Sequence, residues 1–143
     1  MYDRCLYFNL STLNRRVTKI WQDEFGLLGL SPSHGYLLVA MHDKPTATQK
    51  ELSQIMELDA STITRFIDVL TTKKMIKKTS RGKGATFALT ESGIILSEKI
   101  SLLMSDLFST MQNTLGEKKL TNIVDSIQQT KQILEENTDE TAL

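Results

Sequence analysis

Apolar residues recur at helical spacing along most of the chain, and that period breaks once, between Lys74 and Leu89. Residues 75–79 and 85–89 can instead pair as a hairpin around Ser80, Arg81, Gly82, Lys83 and Gly84. The glycines stand where a tight reversal needs positive φ. A chain patterned in this way is expected to be mainly α with one small β-hairpin.

The helices are read from spacing and caps. Leu6, Leu10, Leu13, Val17 and Ile20 mark an amphipathic helix over about residues 3–25, ended by Gly26 and Gly29. Ser31 followed by Pro32 signals a restart, a cap and then proline at the first helical position, with the second helix over about 32–42. After a loop at 43–47, Thr48 and Glu51 have the spacing of a capping box and open a short third helix. Glu57 and Leu58 form a tight turn. Asp59 is expected to cap a fourth helix over about 60–73, with Ile63, Phe66, Ile67 and Leu70 inward. Thr90 caps a fifth helix over 91–115, striped by Leu96, Ile100, Leu103, Leu107 and Met111. Gly116 breaks the chain, a last helix covers about 117–135, and residues 136–143 are expected to fray.

The net charge is zero, but its distribution is uneven. Residues 59–90 hold seven basic and two acidic side chains, while residues 91–143 hold four basic and nine acidic. The positive stretch coincides with the fourth helix and the hairpin. Two helices joined by a short turn, the second showing short polar residues and an arginine, fit the major groove of duplex DNA. The expected contacts are Thr48, Gln49, Ser61, Thr62, Thr64, Arg65, Lys73, Lys78, Arg81 and Lys83. Arg65 has the guanidinium to pair with guanine, and the lysines suit phosphate. Ser61 and Thr62 have an alternative role in helping Asp59 cap the helix.

In these residues the chain resembles the MarR type of transcriptional regulator. The segments are Gly29-Leu30-Ser31-Pro32-Ser33, Thr48-Gln49-Lys50-Glu51-Leu52, Leu58-Asp59-Ala60-Ser61-Thr62-Ile63-Thr64-Arg65, and Phe87-Ala88-Leu89-Thr90-Glu91-Ser92-Gly93. Together they extend the likeness over about residues 5–135. It implies a winged helix-turn-helix lobe at about 30–93, with dimerisation helices at about 1–29 and 94–135. It also implies a wing cation entering the minor groove, and both Arg81 and Lys83 are candidates. The turn glycine often seen in such proteins is Glu57 here, and the glycine after the recognition helix is Lys74.

The long apolar stripes at both chain ends lack an evident partner within the lobe, so a homodimer on a palindromic DNA site is expected. The resemblance implies a small aromatic or anionic effector, with Trp21, Phe25, His34 and Tyr36 in the right region. It also raises redox sensing through Cys5, with Tyr2, Tyr7 or Tyr36 supplying hydroxyls; the plainer reading of Cys5 is a small hydrophobe. No cofactor, metal site or catalytic set is expected: His34 and His42 are eight residues apart, and no phosphate loop is present. The single cysteine suits a cytoplasmic protein, and no apolar run is long enough to span a membrane. The expected function is a ligand-responsive repressor binding double-stranded DNA; the alternative is a winged-helix adaptor for protein contacts.

Overall fold

The computed structural model describes residues 1–80 and 84–141, the side chains of 140 and 141 apart. A 3-10 turn at Tyr2–Arg4 precedes α1 (Leu6–Gly26), α2 (Pro32–Asp43), α3 (Gln49–Met56) and α4 (Ala60–Thr72). The strands β1 (Ile76–Lys78) and β2 (Phe87–Leu89) follow, then α5 (Glu91–Leu115) and α6 (Glu117–Thr141). Residues 1–103 form one compact unit and residues 104–143 a second.

In the first unit, α2 runs through the core. Gly35, Leu37, Leu38 and Met41 are buried on it, and Phe25, Leu52, Ile63, Ile67, Leu70 and Ile76 are buried on the other elements of the unit. Burying each large aliphatic side chain fully contributes about 1.5–3 kcal/mol. Gly35 is small for a reason: a Cβ there would strike the Phe25 ring. The strands pair antiparallel, with Ile76 opposite Leu89, Lys77 opposite Ala88 and Lys78 opposite Phe87. Ile76 turns inward, while Lys77 and Lys78 are exposed.

The second unit holds the end of α5, a turn at Gly116 with φ of 86°, and α6. Leu107 is buried, whereas Phe108, Leu115, Val124, Ile127, Ile133 and Leu134 are exposed. The expected fraying from residue 136 is corrected: α6 stays helical to Thr141. Asn137 Nδ2 and Thr138 Oγ1 each donate to the carbonyl four residues back, at 2.7 Å, which the apolar stripe alone did not register. Among the described residues no helix is long and apolar enough to cross a membrane.

Candidate nucleic-acid interface

The helix-turn-helix is held by short-range hydrogen bonds. At the start of α3 the Glu51 amide donates to Thr48 Oγ1 at 3.1 Å, and the Thr48 amide donates to Glu51 Oε2 at 2.7 Å. The capping box is complete. It holds the Glu51 carboxyl below its usual range, chiefly through the bond from the Thr48 amide, with the Lys44 charge adding a smaller pull. At the other end Glu57 takes a left-handed conformation with φ of 52°, closing the turn. Asp59 occupies the cap position of α4, but its side chain makes no capping bond, so its expected role is corrected in part.

On α4, Ile63, Ile67 and Leu70 are buried, and Ser61, Thr64, Arg65, Asp68 and Thr72 are exposed. Arg65 Nη2 donates to Thr62 Oγ1 at 3.3 Å, one helical turn back. That bond draws the guanidinium along the helix surface toward the N-terminal end of α4. Ser61 and Thr62 make no recorded capping bond among the described residues. Thr48 is exposed and Gln49 half-buried at the start of α3.

After α4 the chain turns through Lys74, whose φ is 61°. Lys73 Nζ reaches the Gly29 carbonyl at 3.5 Å, so this lysine also ties α4 to the turn after α1. Lys74, Lys77 and Lys78 are exposed. Thr90 fastens the hairpin root. Its hydroxyl lies 2.7 Å from the Lys74 carbonyl and 3.2 Å from that of Met75, and it accepts from the Gly93 amide at 3.0 Å. Further out, the Thr79 amide donates to the Thr86 carbonyl at 2.8 Å, and Ser80 Oγ accepts from the Thr86 amide at 2.8 Å. Arg81 and Lys83 lie outside the described residues.

The aromatic set divides. Trp21 Nε1 donates to the Tyr36 hydroxyl at 3.0 Å, and both residues line an open cleft of about 460 Å³ with Val17, Thr18, Gln22 and Pro32. Phe25 is fully buried in the core, stacked on Tyr36 at 5.9 Å. His34 lies edge-on to Phe66 of α4 at 4.4 Å, its Nδ1 2.6 Å from Ser31 Oγ. Burial, and secondarily the Lys73 charge, lowers the His34 pKa. Cys5 is exposed and caps α1 rather than lying within it. The Tyr36 hydroxyl is engaged by Trp21 and is not recorded on Cys5. Sequence reasoning missed the bond between His42 and Ser97, 55 residues apart, for which no local pattern exists. No cluster of three or more metal-ligating side chains occurs among the described residues.

The MarR family model matches residues 28–85, which hold α2, α3, α4 and β1. No curated protein matches the sequence. Among solved structures, a probable transcriptional regulator from Pseudomonas aeruginosa superposes with a TM-score of 0.81 at 18% identity, over 91% of this chain and 99% of that one. A mutant MarR from E. coli complexed with operator DNA gives 0.77 at 17% identity, over 87% and 92%. The repressor CouR bound to p-coumaroyl-CoA gives 0.81 at 14% identity, over 91% and 94%. Residues 28–85 thus match the MarR family model, and the chain shares its winged helix-turn-helix fold with these solved regulators.

Proposed function

We propose that the protein is a sequence-specific double-stranded DNA-binding transcriptional regulator, a homodimeric repressor acting on a palindromic operator and released by a small effector. The carrying observation is the exposed face of α4, with Ser61, Thr64 and Arg65, set beside the exposed Lys74, Lys77 and Lys78. A rigid helix supplies direct readout, and the lysines supply a sequence-independent hold on phosphate. Arg81 and Lys83 are assigned to the wing contact, one of them in the minor groove. The E. coli structure with operator DNA and the CouR structure with its ligand support the reading by likeness of fold. Exposed Leu6, Leu10, Leu13, Val17 and Ile20 on α1 support pairing with a second copy. The cleft beside Trp21 and Tyr36 is the assigned effector site, and the cytoplasm is the assigned location.

Selection of bound sequences from a random duplex pool tests this. The expected result is a two-fold symmetric motif with half-sites about one helical turn apart. Arg65→Ala is expected to lose about 1–3 kcal/mol of discrimination at one base position per half-site. Equal weakening on selected and random duplex would restrict Arg65 to phosphate. Absence of any salt-dependent duplex binding would favour a protein-contact adaptor instead.

A further inference from the structure

On the exposed face of α4 the Arg65 side chain has a choice of neighbours. The positions three and four residues away are Ser61, Thr62, Asp68 and Val69, and Asp68 alone is charged. Yet the guanidinium lies on a neutral partner: Nη2 donates to Thr62 Oγ1 at 3.3 Å. Asp68 is exposed, and its carboxylate makes no hydrogen bond or ion pair among the described residues.

Helix geometry explains the choice. Side chains on a helix lean toward its N-terminus, so Arg65 reaches back over Thr62 more readily than forward to Asp68. An acid placed after a base along a helix is also the weaker order for an ion pair. Thr62 is half-buried and branched at Cβ, which limits the directions its hydroxyl can take. The Thr64 hydroxyl spends its proton on the Ala60 carbonyl at 3.0 Å, whereas the Thr62 hydroxyl turns to the arginine.

The bond to Thr62 uses one N–H of the guanidinium and none of its charge. The others have no recorded partner among the described residues, and they suffice for the O6 and N7 acceptors of a guanine edge. An ion pair with Asp68 would instead engage the planar fork and cancel the charge. We propose that Thr62 is the positioning residue for base readout: it holds Arg65 off Asp68, so that an unneutralised guanidinium meets guanine already ordered. Ordering a long side chain before contact removes part of the rotamer entropy that binding would otherwise cost. The brace is a property of the free chain; its effect on readout rests on the DNA-binding reading above.

Duplex binding and the spectrum of the free chain test it together. The readout is the preference for the selected base at the position that Arg65→Ala makes indifferent. Thr62→Val, nearly isosteric but lacking the acceptor, is expected to cut that preference about fivefold and to leave the other positions unchanged. Thr62→Ser keeps the oxygen and is expected to retain the preference. Adding Asp68→Asn to Thr62→Val is expected to recover about twofold, because the competing carboxylate is gone. In the free chain, the Arg65 Nε–H resonance is expected to move in Thr62→Val and to stay near its place in Thr62→Ser. Full preference in Thr62→Val overturns the positioning role. So does an equal loss in Thr62→Ser, which would make Thr62 a packing residue, and so does an Arg65→Ala chain that keeps every base preference. No recovery with Asp68→Asn overturns the competition with Asp68. An unaltered chain that binds no duplex overturns the DNA reading, and the free-chain resonance then still decides whether the brace exists.

Discussion

Lys74 occupies the left-handed region, with φ of 61°, at the exit from α4. A side chain there strains the backbone, and glycine does not. Lys74→Gly is therefore expected to raise stability by about 1 kcal/mol in denaturant unfolding. The same change removes one exposed cation, so the slope of log affinity against log salt is expected to fall by about one. A gain in stability with no change of slope would place Lys74 away from phosphate. His34 gives a pH dependence. Its ring is held by Ser31, lies against Phe66 and feels the Lys73 charge, and burial lowers its pKa from the ordinary value of 6.5. The unfolded chain thus takes up the proton more readily than the folded one. This contribution to stability is present above pH 6.5, declines as pH falls, and levels off once both states are protonated. Unfolding midpoints measured across that window are expected to flatten in His34→Gln.

Two glycines separate packing from propensity at the scale of elements. A Cβ on Gly93 would run into the Met75 carbonyl, where the start of α5 meets the turn into β1, whereas one on Gly26 would meet nothing within 4 Å. Gly93→Ala is expected to cost about 1–3 kcal/mol and to weaken DNA binding by displacing the hairpin root. Gly26→Ala, inside the last turn of α1, is expected to be neutral or slightly stabilising. Thermal melts of the two variants check the contrast. The elements were legible in the sequence because their determinants are local: the Thr48–Glu51 box, the Ser31-Pro32 start and the three-and-four apolar spacing all act within a turn or two. The αL turn at Glu57 was legible as a turn. The reach of Thr90 to Lys74, sixteen residues back, was not, because it depends on how the hairpin folds over the end of α4. Phe25 shows the same limit. Its spacing suited a ligand wall as well as a core, and only the close approach of Gly35 put it inside.

The apolar stripe of α1 leaves Leu6 59%, Leu13 46% and Ile20 40% exposed in the single chain. A soluble monomer rarely exposes so continuous a patch without using it. Leu13→Glu together with Val17→Glu is expected to convert the protein to a monomer in analytical ultracentrifugation, to preserve the helix-turn-helix by circular dichroism, and to abolish high-affinity operator binding. A double variant that remains dimeric would move the pairing surface elsewhere. Readability of the site follows the same division by range. The exposed face of α4 was visible in the sequence, whereas the paired state of its arginine arises only on folding. The stripe on α1 also has a genetic consequence. If each subunit must find a mate to grip an operator, a co-expressed chain carrying Arg65→Ala but an intact first helix will sequester normal copies in mixed pairs, so one damaged allele silences its healthy neighbour and the defect is inherited as dominant.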